Sequence, residues 1–241
     1  MPTPIDIAFA ILFTVAVSIF DAVYFIPRFK AKARAGVLGA RLHMYRRTIA
    51  GQWAFAIAAI FLWMRAGRAW SSLGVVLPGT ARLVVSAAII VLIVALAAKQ
   101  TRSVNRATRE RRDALRPQLA YVEYLLPHSG NELRWFIALS ITAGFCEELL
   151  YRGFLLWLLA AYIGTALAAL AGVVLFGVLH LYQGRQGAVK AGVAGAIMTL
   201  IYFGTGWLFP AMVVHALIDV SGGLVGFAVL GEPLALAAEL S

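Results

Sequence analysis

The stretch that decides the fold is Ala143-Gly-Phe-Cys-Glu-Glu-Leu-Leu-Tyr-Arg-Gly-Phe-Leu-Leu156. It places three charged side chains, Glu147, Glu148 and Arg152, inside an otherwise apolar segment. A charged side chain at the centre of a membrane costs about 2.5–3.5 kcal/mol on the insertion scale. Packing alone does not require that cost, so the stretch predicts a functional site on a membrane-embedded helix.

The spacing of the three charges predicts different roles for the two glutamates. Glu148 and Arg152 are four residues apart, so on a helix they share a face and can form an ion pair. Neighbouring residues on a helix point about 100° apart. Glu147 can therefore face a cavity while Glu148 holds the arginine. One arginine cannot neutralise both carboxylates, so the adjacent pair is the feature that a purely structural role explains least well.

The composition predicts an all-α polytopic transmembrane helix bundle. Of the 241 residues, 62% are hydrophobic and 13% are charged, which lies outside the range of soluble domains. Apolar runs of near-bilayer length predict about seven to eight spans in a single membrane domain, residues 1–241. The net charge of +10 does not indicate nucleic acid, because the basic residues flank the apolar runs and suit anionic lipid headgroups.

Seven spans are predicted along the chain, with a turn at Gln183–Gly187 between the fifth and sixth. Their approximate limits are 5–26, 48–65, 83–98, 134–160, 165–182, 188–203 and 207–230. Residues 1–130 hold the N-terminal spans and basic connections. Residues 131–232 hold the helices between which we expect a catalytic cavity.

The Lys and Arg counts predict the topology. The connections after the first and third spans hold seven each, whereas the connection after the second holds three. The positive-inside rule then places the N-terminus outside and the C-terminus in the cytoplasm. The Ala- and Arg-rich composition favours the plasma membrane of a prokaryote. The N-terminal run lacks a basic n-region and a cleavage site, so it predicts a retained span.

Two further residue types narrow the chemistry. The single cysteine, Cys146, excludes an intrachain disulfide, and its apolar surroundings predict a packing role. Six ionisable side chains lie inside predicted spans and away from their ends, once Asp21 is set aside as close to a span end. They are Glu147, Glu148, Arg152, His180, His215 and Asp219.

These six residues lie on three helices, and each helix shows an i,i+4 pattern. In lipid, polar faces of this kind turn inward toward one another. Carboxylates, imidazoles and a guanidinium that meet there can activate water and stabilise an oxyanion. Taken singly, the pair of Glu148 with Arg152 and that of His215 with Asp219 are equally compatible with a structural ion pair or an interhelical hydrogen bond. A lone histidine such as His180 is more often a polar contact between helices.

Together the motifs resemble the signature of the CPBP intramembrane proteases, the CAAX prenyl endoproteases and bacteriocin-processing or Abi proteins. In chain order they are Glu147-Glu148-x-x-x-Arg152, Phe176-x-x-x-His180 and His215-x-x-x-Asp219. The resemblance covers about residues 133–230. One position departs from it, because the third motif of the prenyl proteases ends in Asn where this chain has Asp219.

The resemblance implies an intramembrane endopeptidase that hydrolyses peptide bonds of membrane-associated or lipidated substrates. In that role Glu147 activates water with the help of His180, and Glu148 with Arg152 provides electrostatic support.

His215 with Asp219 would stabilise or position the tetrahedral intermediate. An aspartate donates a hydrogen bond only when protonated, so its presence favours a histidine-orienting or metal-ligating role. Glu147, His180 and His215 also resemble the ligand set of a catalytic zinc or another divalent metal. No H-E-x-x-H motif is present, and the resemblance is equally compatible with a reaction that uses no metal.

Two alternatives stand beside the protease. One is a non-catalytic scaffold or immunity protein on the same fold, although such a protein is expected to lack a motif residue. The other is an ion-coupled transporter, although no inverted repeat is visible. The expected partners are membrane lipids and a membrane-associated peptide or lipidated protein, with no nucleic acid.

Overall fold

A computed structural model describes residues 1–231 of the chain, which are all-α, as predicted. The last predicted residue of the catalytic unit, residue 232, and the C-terminus lie outside the described residues. The helices are α1 (Pro4–Arg34), α2 (Ala40–Arg65), α3 (Thr80–Asn105), α4 (Arg109–Asp113), α5 (Arg116–Leu119), α6 (Gly130–Glu148), α7 (Leu156–Ile163), α8 (Thr165–Leu179), α9 (Gly184–Thr205) and α10 (Phe209–Leu230). Two π-helical turns interrupt α1, and a third, Leu149–Leu155, joins α6 to α7.

Within residues 1–231, five helical runs are long and apolar enough to cross a membrane, so this is a multi-pass membrane protein. They are α1, α2, α3, the run Leu181–Thr205 and α10. The fourth and fifth predicted spans are not among them. The fourth is the run from α6 to α7, which carries the three charges of the deciding stretch. The fifth is α8, whose 15 residues rise only about 22 Å, short of a hydrocarbon core of about 30 Å.

The chain reverses direction earlier after α8 than the sequence predicts. α8 ends at Leu179, and α9 already begins at Gly184, inside the predicted turn Gln183–Gly187. The imidazole Nδ1 of His180 lies 2.7 Å from the Phe176 carbonyl oxygen. A 3₁₀ turn follows, and Gly184 adopts a φ of 84°, which the reversal requires and glycine permits.

Local sequence signals explain where several helices begin. Thr3 and Asp6 form a capping box around Pro4 at the start of α1. The Ser129 hydroxyl accepts a hydrogen bond from the backbone of Glu132 and caps α6. These caps fix the first turn of two helices that pack around the candidate site.

Helix α2 runs parallel to α6 and α7. Near their starts Arg41 lies 3.8 Å from Glu132, and further along Trp53 donates a hydrogen bond of 3.3 Å to Thr142. Near their ends the rings of Trp63 and Trp157 pack edge to face. The two helical runs therefore keep one register through the whole bundle.

Helix α10 runs antiparallel to α6 at very short range. A Cβ added to Gly144 would lie 2.6 Å from the Met212 carbonyl oxygen, and one added to Gly223 would collide with the Phe136 ring. Only glycine allows the two helices to approach so closely. This packing brings the N-terminal half of α10 against the end of α6.

The basic residues gather at one end of the bundle, which we call the basic end. It contains residues 28–47, 99–134 and 182–190, tied together by contacts such as Lys30 to the Tyr182 carbonyl and Lys190 to Tyr121. Of the 21 Lys and Arg residues, three lie at the opposite end and one inside the bundle. Those four are Arg65, Arg68, Arg82 and Arg152.

The main core cluster joins α1, α2 and the segment around the π-helical turn. Phe13, Ala56, Cys146 and Phe154 are among its buried members. Cys146 is a free cysteine with no exposed surface, which confirms the packing role predicted for it.

A buried ion pair fastens the start of α1 to the connection after α2. Arg68 donates two hydrogen bonds to the carboxylate of Asp6, whose side chain is 2% exposed. Removing one partner of a buried pair leaves the other charge uncompensated, so we expect Asp6→Ala to lower the free energy of unfolding by about 3 kcal/mol. Thermal unfolding in detergent measures this. Asp113→Ala breaks an exposed pair with Arg116 and serves as the control, with an expected change below about 0.5 kcal/mol.

Candidate active site

The charged residues of the deciding stretch lie where α6 passes into the π-helical turn. Glu147 and Glu148 are the last two residues of α6, and Arg152 lies within Leu149–Leu155. Short π-helical segments are rare and frequently occur at functional sites. The two glutamates point in different directions, as the helical spacing predicts.

Glu148 is the most enclosed of the six predicted site residues. Its side chain has no exposed surface, and its Oε1 accepts hydrogen bonds from Arg152 Nη1 at 2.9 Å and from His215 Nδ1 at 2.8 Å. This confirms the predicted pairing of Glu148 with Arg152. A carboxylate only accepts hydrogen bonds, so His215 carries a proton on Nδ1. One carboxylate oxygen thus joins α6, the π-helical turn and α10.

Arg152 extends the same network into α8 and α9. Its Nη2 donates to the Gly195 carbonyl at 2.8 Å, and its guanidinium carbon lies 4.6 Å from the centroid of the Phe176 ring. Thr199 donates to the same carbonyl and stands beside the guanidinium. The arginine is therefore held on three sides.

Glu147 is held in a different way and is partly exposed. Its Oε1 accepts a hydrogen bond of 2.6 Å from Gln52 Nε2 on α2. Its Oε2 faces His215 Nε2 at 4.0 Å, and 18% of the side chain is exposed. A separation of 4.0 Å is too long for a direct hydrogen bond, but both atoms can bond the same water when it lies to one side of the line between them.

Asp219 lies one turn along α10 from His215 and is more exposed than either glutamate. Its Oδ2 is 3.6 Å from His215 Nε2, and 40% of its side chain is exposed. His215 therefore donates the hydrogen bond that orients its ring to Glu148, whereas the sequence favoured Asp219 for that role. Asp219 instead borders the side of the ring that faces Glu147.

His180 completes the group without a direct bond to the other five among the contacts of residues 1–231. Phe176 stands between the two histidines, with ring centroids 4.6 Å from His180 and 6.2 Å from His215. Asp219 is close enough to both imidazoles to interact with them electrostatically. Because His180 Nδ1 contacts the Phe176 carbonyl, its Nε2 remains available at the site.

A cavity of about 440 Å³ borders Arg152 and extends along Leu156, Trp157 and Tyr202 toward the end opposite the basic end. Its lining includes none of the other five site residues. The catalytic cavity predicted between the C-terminal helices therefore stays a prediction.

The predicted metal ligands, Glu147, His180 and His215, are not gathered around one point. Within residues 1–231 no group of three or more His, Cys, Asp or Glu side chains is arranged to hold a metal ion. The Nδ1 atoms of both histidines are already engaged, and Glu147 lies 4.0 Å from the free nitrogen of His215. This donor set does not support a metalloprotease, and the metal stays a prediction.

Sequence reasoning missed Gln52, the residue that contacts Glu147 from α2. Its amide is neutral and so is not among the ionisable side chains, although a glutamine inside the apolar run 48–65 is a visible polar signal. Asp21, which the sequence analysis set aside, forms an ion pair of 2.7 Å with Arg47 between α1 and α2.

Comparison with known families matches residues 129–221 to the family model described as type II CAAX prenyl endopeptidase, Rce1-like. Residues 129–221 are a domain of this family. The Rce1-like domain contains all six predicted site residues and confirms the resemblance drawn from the three motifs. Gln52 lies outside it. No curated protein and no solved structure matches the chain.

The close approach of α10 to α6 generates a test of the site geometry. In Gly144→Ala the new Cβ would lie 2.6 Å from the Met212 carbonyl and 2.8 Å from the Ala216 Cβ. Helix α10 must then move away and carry His215 from Glu148, so we expect unfolding to cost about 1–3 kcal/mol less. Gly172→Ala, where a Cβ meets nothing within 4 Å, is the control. Equal thermal stability of the two variants would contradict the close packing.

Proposed function

We propose that this protein is an intramembrane endopeptidase that hydrolyses peptide bonds of prenylated or otherwise membrane-associated substrates. The Rce1-like domain supports the reaction class. The observation that carries the proposal is the 4.0 Å separation of Glu147 Oε2 and His215 Nε2, which lets both atoms bond one water that lies beside the line between them.

In the proposed reaction Glu147 is the general base. A water bonded to Glu147 attacks the carbonyl carbon of the scissile bond and gives one proton to Glu147. The attack turns the carbonyl group into a tetrahedral oxyanion. The C–N bond then breaks, and Glu147 returns the proton to the leaving amine. The products are a new carboxylic acid and a free amine, which at neutral pH become a carboxylate and an ammonium group.

The two histidines are placed to stabilise the oxyanion. When His215 carries a proton on both nitrogens, its Nε2–H can donate to the developing charge, while Glu148 holds Nδ1. We assign His180, which the family resemblance pairs with Glu147, to the same reacting region through its free Nε2. Asp219 borders His215 and would favour its charged form.

Arg152 and Glu148 act on the reaction through position. Arg152 holds Glu148 against α8 and α9, and Glu148 holds the His215 ring at 2.8 Å. The His215 ring is therefore already oriented toward Glu147 before the reaction begins. We therefore treat Glu148 and Arg152 as positioning residues.

Mutation of the base and of a histidine tests the proposal directly. Purified protein is incubated in detergent with a panel of fluorogenic peptides, with and without a prenyl group. We expect wild-type cleavage to fall by at least 100-fold in Glu147→Ala and in His180→Ala, because each removes a group that touches the reacting atoms. Asp113→Ala, which removes an exposed carboxylate outside the candidate site, should cleave like wild type.

The same assay separates the alternatives. Cleavage that survives Glu147→Ala would remove the proposed base. Loss of wild-type cleavage on addition of a chelator, restored by added zinc, would support the metal prediction. A folded wild-type protein that cleaves no peptide of the panel would contradict the protease and favour the scaffold.

We further propose that the basic end faces the cytoplasm of a prokaryote, which places the N-terminus outside. The clustering of the Lys and Arg residues at one end supports this by the positive-inside rule. Anionic lipid headgroups and a lipid-attached substrate tail would approach from that side.

Single cysteines report the topology. In a Cys146→Ala background, Ser71→Cys at the opposite end should react with a membrane-impermeant maleimide in intact cells. Ser103→Cys near the basic end should react only after the cells are made permeable. The reverse pattern would place the N-terminus in the cytoplasm.

A further inference from the structure

Gln52 contacts the candidate base from a helix outside the Rce1-like domain. It lies on α2, and its Nε2 donates a hydrogen bond of 2.6 Å to Glu147 Oε1. Parallel contacts on either side, from Arg41 to Glu132 and from Trp53 to Thr142, hold α2 in register with α6. The position of the amide is therefore fixed by the packing of the two helices.

The hydrogen bond distinguishes the two oxygens of Glu147. Oε1 is occupied by the Gln52 amide, whereas Oε2 faces His215 Nε2 across the 4.0 Å gap. The oxygen that remains free is thus the one beside the water site. A freely rotating carboxylate would present either oxygen and would spend part of its time turned away.

The other half of the amide has no structural use. Gln52 Oε1 is buried and has no hydrogen-bond partner among residues 1–231. Turning the amide over would place this oxygen 2.6 Å from a carboxylate oxygen, which is repulsive, so the charge of Glu147 fixes the orientation. A glutamine kept only for packing is expected to satisfy both ends, and an unsatisfied buried atom calls for another explanation.

We propose that Gln52 is a positioning residue that fixes the Glu147 carboxylate with Oε2 toward the reacting water. This inference rests on the proposed function, in which Glu147 is the base. It makes α2, outside the matched segment, a contributor to the active site. The charge on Glu147 also fixes the side chain of Gln52 in return.

A double-mutant cycle tests the contact without any assay of cleavage. Gln52→Leu is made in the wild type and in a Glu147→Ala background, and the thermal midpoint of each protein is measured in detergent. We expect Gln52→Leu to lower the midpoint by a few degrees in the wild type and not in the Glu147→Ala background. An equal shift in both backgrounds would overturn the proposal.

Trp53→Phe is the matched control for the cycle. It removes one hydrogen bond between α2 and α6, that from the indole to Thr142, and keeps an aromatic ring stacked against Phe145. Its effect on the midpoint should be the same in both backgrounds, because it does not touch Glu147.

Cleavage kinetics then separate positioning from a purely structural role. Gln52→Leu should lower kcat about 10- to 100-fold with KM nearly unchanged, whereas Trp53→Phe should leave both near the wild-type values. Coupling in the cycle without a fall in kcat would overturn the positioning role. If the wild type cleaves nothing, the proposed function fails on that result. Glu147 is then not a base, so the positioning role is overturned with it, and the cycle still decides whether the contact exists.

Discussion

The structure depends on one buried carboxylate. Glu148 has no exposed surface, and its Oε1 accepts hydrogen bonds from Arg152 and from His215. This oxygen joins α6, the π-helical turn and α10, and Arg152 links it further to α9 and to the Phe176 ring on α8. A buried charge is tolerated only when it is paired and hydrogen-bonded. The requirement to satisfy Glu148 therefore fixes where the C-terminal helices stand relative to one another.

The deciding stretch predicted a large part of this arrangement because its logic is local. Two charges four residues apart in an apolar helix must pair, and neighbouring residues must diverge, so the separate environments of Glu147 and Glu148 follow from helix geometry. The inward turning of the motifs on α8 and α10 follows from the cost of charge in lipid. Those parts of the candidate site needed no knowledge of the tertiary structure.

The parts that could not be predicted depend on contacts between distant segments. Gln52 meets Glu147 across 95 residues of sequence because of the register of two helices. The choice of Glu148 to orient His215 depends on how closely α10 approaches Gly144. The early end of α8 depends on a histidine side chain next to its own helix terminus. In each case the periodicity of the sequence predicts a helix but does not specify which segment packs against each of its faces.

The shortness of α8 affects the backbone at its end. Its 15 residues rise about 22 Å, about 8 Å less than a hydrocarbon core of about 30 Å. Lys30 and Tyr124 donate hydrogen bonds to the carbonyl of Tyr182 in the turn after His180, which keeps exposed backbone there from facing lipid. An α8 that starts at one surface of the bilayer would thus end about 8 Å inside the other. An extended peptide advances about 3.3 Å per residue, so in the proposed reaction a chain end arriving from the basic side would need two or three fewer residues to reach the histidines than beside a full-length span.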